Sequence, residues 1–179
     1  PDGVHPRMLK ELASELCRPL EIIFSQSIIE GKLPDDWKKA DITALHKKGD
    51  KQNPENYRPI SLTSICSKIL ERIIRDKTEV YLISNDLLSC KQFGFMKGRS
   101  TILQLLKVLD DWTEAVDARL PVDVIYTDFQ KAFDSVPHGG LLQKLTSIGI
   151  KGKLHAWIGY THFYYLFHFC FVVWAERIG

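Results

Sequence analysis

Positive charge is not in excess: 24 Lys and Arg face 22 Asp and Glu across 179 residues, a net charge of +2 at pH 7. A chain so balanced is not basic over its whole surface, and any positive patch has to be local. Cysteine is scarce. Cys17, Cys66, Cys90 and Cys170 stand apart with no C-x-x-C spacing. That excludes the usual zinc and disulfide frameworks and reads as reduced thiols in an intracellular protein. No secretory signal is present, the first methionine is Met8, and a chain opening Pro1-Asp2-Gly3 reads as a piece of something longer. Disorder is excluded by composition, since 45% of residues are hydrophobic and 26% charged. The length suits one ordinary domain.

What is present is organised in periodic segments. From about Arg7 to Ile29, Leu9, Leu12, Leu16, Leu20 and Ile23 fall at spacings of three and four, one apolar helical stripe read as core. Gly31 and Pro34 end it. Ala40 to Leu45 alternates like a strand. The stretch Lys47-Lys48-Gly49-Asp50-Lys51-Gln52-Asn53-Pro54 reads as a positively charged turn. Tyr57 to Leu62 is expected to be extended, because Pro59 pushes its predecessor out of the helical region. A second helix is predicted from Ser64 to Leu82, with Ile65, Ile69, Ile73 and Ile74 on its buried side. A third starts at Ser100 or Thr101 as N-cap and carries Ile102, Leu105, Leu106, Leu109, Trp112 and Val116 on its apolar face. Pro121 opens a β-branched run, Val122 to Asp128, read as a strand with Val124, Tyr126 and Asp128 on one face. A helix with Leu141, Leu142, Leu145 and Ile148 follows Pro137 and stops near Gly149.

Few residues carry chemistry on pattern alone. Asp128 ends an apolar strand face, where a carboxylate either holds Mg²⁺ or caps the next turn. Asp134 reads as an N-cap or a salt-bridge partner. Lys47 and Lys48, with Arg58 about ten residues on, form either a solvated face or a polyphosphate cradle, in which lysine supplies a point charge and arginine a fork.

The order of the segments is more specific than any one of them. Leu45-His46-Lys47-Lys48-Gly49-Asp50, Asn56-Tyr57-Arg58-Pro59-Ile60-Ser61-Leu62, Gln92 to Thr101 and Tyr126-Thr127-Asp128-Phe129-Gln130-Lys131-Ala132-Phe133-Asp134-Ser135-Val136 follow one another. Together with the opening Pro1-Asp2-Gly3 and Pro34-Asp35-Asp36-Trp37-Lys38, they resemble the reverse transcriptase domain of non-LTR, jockey-like retrotransposons. The resemblance implies an α/β (α+β), helix-rich fold: the fingers and an incomplete palm of a right-hand polymerase, over residues 1–158. It implies RNA-directed DNA polymerisation from an RNA template, a DNA primer and dNTPs, by two-metal nucleotidyl transfer. Asp128 takes the place of a metal-binding aspartate, with the backbone carbonyl of Phe129 as a second oxygen ligand for Mg²⁺. Phe133 takes the steric-gate position against the sugar 2′ site. Lys47, Lys48 and Arg58 fall where the family meets the nucleotide triphosphate, and Gln92, Gly94 and Arg99 where it handles template and primer. Nuclear action is implied by integration at chromosomal DNA.

Two departures matter. Met96 stands where the family has arginine, which removes one cation from the strand-contacting region. After Asp134 the only carboxylate is Glu176, so the family's Ala-Asp-Asp hairpin has no counterpart in these 179 residues. The chain alone is therefore expected not to polymerise, and a remnant with weak, sequence-independent nucleic-acid binding is the alternative. Residues 159–179 form a divergent tail. Of four Trp, six Tyr and nine Phe in the chain, nearly half fall between Trp157 and Trp174. The tail reads as a wrong-frame extension, a divergent palm strand, or a membrane segment. Its apolar run of about 12 residues is shorter than the roughly 20 that a spanning helix needs, and no membrane is expected as a partner.

Overall fold

The computed structural model describes residues 2–127 and 137–161. Among them are six α-helices and one two-stranded antiparallel sheet, a mixed, helix-rich architecture. The chain divides into two compact units. The first takes residues 2–77 and 149–161, the second residues 78–127 and 137–148, with the division inside one long helix.

In the first unit, α1 (Pro6–Glu11) and α2 (Ala13–Glu30) replace the single helix expected there; the backbone departs at Leu12 (φ −102°, ψ 25°). The predicted stripe is only half covered. Leu9, Leu16 and Leu20 are partly buried, whereas Leu12 and Ile23 are exposed. The side chain α2 buries is polar: Ser27 accepts from the Trp157 indole Nε1 at 2.9 Å and donates to the Lys32 carbonyl. Trp157 is fully buried on α6 (Gly152–Thr161), which packs on α2. Gly31 closes α2 in the left-handed conformation (φ 68°), with the Lys32 N–H returning to Ser27 O at 3.0 Å. Pro34 then leads into a 3₁₀ turn, Asp35–Lys38. Trp37 meets Phe24 edge-on at 5.8 Å, and Lys38 Nζ donates to Asp35 Oδ1 (2.6 Å) and Tyr160 Oη (3.0 Å).

Strands β1 (Ala40–His46) and β2 (Tyr57–Thr63) follow as a hairpin, in register from Ala40 opposite Thr63 to His46 opposite Tyr57. Helix α3 (Ile65–Ser84) buries Cys66, Leu70 and Ile74 in the first unit and Leu82 in the second. Of the four isoleucines expected on the buried side, Ile74 is buried, Ile65 and Ile69 are partly buried, and Ile73 is 47% exposed. Ser67, Glu71 and Thr78 are buried as well, so the covered face takes in polar residues that hydrophobicity alone does not mark. In the second unit, Leu82 is the centre of a cluster with Leu87, Leu88 and Ile148, and α5 (His138–Ser147) buries Leu141 and Leu145.

Two expectations fail on long-range partners. Helix α4 (Thr101–Asp117) forms with Ser100 as its N-cap, yet Ile102, Leu105, Leu106, Leu109 and Val116 are all exposed and only Trp112 is partly covered. Residues 122–127 pair with no strand, and Ile125 and Tyr126 are more than four-fifths exposed. A β-rich composition makes a strand only where a neighbour supplies the ladder, and among the described residues none does. Asp128, Phe129, Phe133, Asp134 and the tail lie outside the described residues. Cys17, Cys66 and Cys90 carry free thiols. Among the described residues, no helix is long and apolar enough to cross a membrane.

Glu71 gives the fold a pH dependence. Burial raises its carboxyl from 4.5 to about 7, against the opposing pull of the Ser67 hydroxyl (3.0 Å) and nearby Lys68. Between those values the folded chain keeps a proton that the unfolded chain releases, so stability falls as pH rises from about 4.5 through about 7. Glu71→Gln keeps the Ser67 hydrogen bond and removes the charge. In urea titrations at pH 5 and pH 8, the wild type is expected to lose roughly 2–3 kcal/mol between the two pH values through this group, a loss that the variant lacks.

Candidate functional site

The cationic turn between β1 and β2 is closed by hydrogen bonds that leave its lysine ammonium groups out. The Lys47 N–H donates to Asn56 O at 2.8 Å, adding a rung beyond the His46–Tyr57 pair. Gly49 takes φ +83°, which lets the chain turn under Asn56, and Asn56 Nδ2 donates to Asp50 O at 2.8 Å. Asp50 Oδ1 accepts from the Gln52 N–H, and Asn53 Oδ1 caps the short 3₁₀ turn Pro54–Asn56 through the Glu55 N–H. Tyr57 reaches over to donate its hydroxyl to Lys51 O at 2.8 Å, with its ring edge-on to His46 at 5.3 Å. His46 Nε2 in turn lies 3.1 Å from Gly49 O.

This scaffold orients the cations. Arg58 sits opposite Leu45, and residues two apart on a strand share a face. The extra rung at Lys47 therefore sets Lys47 and Arg58 on one face as diagonal neighbours, a spacing of about 7–8 Å between backbones. Lys47, Lys48, Lys51 and Arg58 are all exposed. The ion pairs among the described residues join other side chains, nearly all one helical turn apart. The hairpin thus presents a fork and point charges to solvent, an arrangement suited to phosphate oxygens.

The other predicted set lies in the second unit, between α3 and α4. Gln92 Nε2 donates to Gly94 O at 2.9 Å. Arg99 turns inward: Nη1 donates to the carbonyls of Cys90 (2.6 Å), Gln92 and, at 3.5 Å, Ser89, while its guanidinium lies 5.3 Å from the Phe93 ring centre. The structure thus gathers Gln92, Gly94 and Arg99 in one loop.

Residues 45–174 match the family described as reverse transcriptase (RNA-dependent DNA polymerase). The chain belongs to the reverse transcriptase family. It is 34% identical over 148 residues to the probable RNA-directed DNA polymerase from transposon BS of Drosophila melanogaster, covering 82% of this chain and 16% of that protein. To the RNA-directed DNA polymerase from mobile element jockey of the same species, it is 34% identical over 153 residues, 80% of this chain and 16% of that protein. To the retrovirus-related Pol polyprotein from type-1 retrotransposable element R2 of Popillia japonica, it is 30% identical over 124 residues, with 69% and 17% covered. The chain spans about one sixth of the length of these curated relatives.

The match takes in the hairpin loop, the Gln92–Arg99 loop and Asp128, so this reverse transcriptase chain carries each predicted position within its family region. Among the described residues, no group of three or more His, Cys, Asp or Glu comes together as a metal site.

The sequence pattern gave no role to Asn56, Tyr57 or Phe93. An Asn-Pro step and a Lys-Gly-Asp turn were the signals available, and they mark a turn without saying which side chain closes it.

Gly49 is the point where this loop is most easily broken. An alanine Cβ there would lie 2.8 Å from Asn56 Nδ2 and would have to hold a left-handed backbone. Gly49→Ala is expected to cost roughly 1–3 kcal/mol and to release the Asn56–Asp50 bond. Hydrogen exchange at the Lys47 and Gln52 amides should rise in the variant while amides of α2 stay protected.

Proposed function

We propose that this chain is the fingers and first part of the palm of an RNA-directed DNA polymerase of a non-LTR retrotransposon. The observation that carries the reading is the hairpin, which sets Lys47 and Arg58 on one exposed face within the family-matched region. Arg58 grips the triphosphate of an incoming dNTP with its fork, and Lys47 and Lys48 add point charges as the leaving pyrophosphate gains negative charge. Because hydrogen bonds that do not use the lysine ammonium groups hold the loop, the cations meet the phosphates without first breaking an internal ion pair.

Asp128 and the Phe129 carbonyl are the residues proposed to face a divalent ion in the longer enzyme, where Mg²⁺ would stabilise attacking and leaving oxygens. Phe133 is proposed to exclude a 2′-hydroxyl. Gln92 and Gly94 are proposed on the template and primer side. Beyond Asp134 these 179 residues carry one side-chain carboxylate, Glu176, so primer extension by them alone is not expected. The family match reaches residue 174 and so takes in most of the aromatic tail. Nuclear action is proposed on the same family ground.

Binding of a DNA-primed RNA template, followed by anisotropy across a salt series, tests the reading. Affinity should fall steeply with salt, and the triple variant Lys47→Ala, Lys48→Ala, Arg58→Ala should flatten the log–log slope by about one for each phosphate it no longer neutralises. Salt-indifferent binding would sink the phosphate reading. Primer extension in Mg²⁺ by the 179-residue chain is expected to be absent. Extension abolished by Asp128→Ala would show that the chain needs no further carboxylates.

A further inference from the structure

Helix α3 opens without a carboxylate of its own, since no acidic residue stands in its first turn. The start of a 20-residue helix carries free N–H groups and the positive end of the dipole, where a negative charge is favourable. Ser64 meets part of that need. Its hydroxyl accepts from the Ser67 N–H at 3.3 Å, its carbonyl accepts from the Lys68 N–H at 3.2 Å, and the residue is 1% exposed.

The charge comes from Asp2, distant in sequence. Asp2 Oδ1 accepts from the Val4 N–H at 3.1 Å across Gly3, which holds φ +70°. Oδ2 is closed off from water and has no hydrogen-bond partner among the described residues. A carboxylate oxygen so placed is costly unless positive potential faces it. The groups coupled to Asp2 identify that potential. The Ser64 hydroxyl, the strongest influence on the Asp2 carboxyl, holds it below its usual range. Burial and then the Asp2 charge push the Cys66 thiol up. Ser64 and Cys66 both belong to the opening of α3, so the isolated oxygen and the uncompensated helix end satisfy each other.

Ser64 also follows Thr63, the last residue of β2, which pairs with Ala40 at the open end of the hairpin. Arg58 lies up the same strand, roughly 17 Å away at about 3.4 Å per residue. The strand carries the direction of its root to that side chain. We propose that Asp2 is a positioning residue: seated at the N-terminal turn of α3, it fixes the root of β2 and so the direction in which Arg58 meets phosphate. Asp2 acts through Arg58 and touches no part of the ligand. The proposal rests on the reading that the Arg58 fork receives a triphosphate.

The test uses the 179-residue chain with inorganic tripolyphosphate as the probe, titrated by calorimetry. Arg58→Ala should weaken binding about tenfold, the scale of a lost charged hydrogen bond. Asp2→Asn keeps an acceptor for the Val4 N–H and removes the charge. It should weaken binding about fivefold, the scale of a residue that never meets the ligand. In the Arg58→Ala background the same change should cost almost nothing further, because its effect runs through that guanidinium. Hydrogen exchange should quicken at the amides of residues 65–68 and stay unchanged across α2. Gly3→Ala adds a Cβ that meets nothing within 4 Å but has to hold a left-handed backbone, loosening the turn without altering a charge. It should weaken binding about twofold, again only where Arg58 is present.

A loss of equal size with and without Arg58 would make Asp2 a purely structural residue and overturn the positioning role. Wild-type affinity in Asp2→Asn would overturn it too, while a tenfold loss in Arg58→Ala leaves the triphosphate reading standing. Wild-type affinity in Arg58→Ala, or no binding of tripolyphosphate by the wild type, brings down that reading and the positioning role together. Should Asp2→Asn fail to fold, Gly3→Ala with and without Arg58 decides the matter: a coupled loss upholds the role and an additive one overturns it.

Discussion

One hydroxyl ties the first unit together. Ser27 Oγ accepts from the buried Trp157 indole and donates to the Lys32 carbonyl, joining residues 130 positions apart in sequence. An indole N–H sealed from water without a partner would cost about 1–3 kcal/mol, so the largest side chain of this core can be buried fully only because the serine is there. The same serine fixes where α2 ends. Its hydroxyl and its carbonyl both engage Lys32, on either side of the left-handed Gly31. From that point the path to β1 is short: Pro34, then a 3₁₀ turn pinned by Trp37 on Phe24 and by Lys38 on Asp35 and Tyr160. The root of the cationic hairpin is therefore anchored to α6 through the Lys38–Tyr160 bond.

The two loops that carry family motifs solve opposite problems. The hairpin turn uses Asn53, Asn56 and Tyr57 for its internal hydrogen bonds and leaves its lysines and Arg58 to solvent. The Gln92–Arg99 loop does the reverse, consuming its arginine to gather three carbonyls and exposing an aromatic ring. This contrast explains how a chain of net charge +2 presents a locally cationic, exposed face. What counts is which cations the fold leaves uncommitted, and the motif pattern alone cannot separate Arg58 from Arg99.

Much of the local structure was legible in sequence because its signals are local. Gly31 and Ser100 mark helix ends, and the alternation from Ala40 with Pro59 in the returning strand marks the hairpin. The covered face of α3 was read only in part, because burial there includes Ser67, Glu71 and Thr78, and a carboxyl kept protonated by burial looks like a surface residue in sequence. For the candidate site, motif order singled out Lys47, Arg58, Gln92 and Arg99. Direction was another matter. Whether a guanidinium faces solvent or its own backbone depends on where carbonyls converge, and no spacing rule encodes that.

The same distinction between local and long-range bonding separates the elements that form from the one that does not. Helix α4 exposes its apolar face and still forms, because its hydrogen bonds run within the segment. It is supported by the Ser100 cap, the Lys107–Asp111 pair at 2.6 Å and the Thr113 hydroxyl on Leu109 O. The hairpin needs only a partner ten residues away. Residues 122–127 have the composition of a strand, but a strand's hydrogen bonds belong to another segment, and exposure of Ile125 and Tyr126 follows where that segment is not among the described residues. The cationic hairpin is therefore built on local bonds, whereas residues 122–127 would need a ladder that local bonds cannot supply.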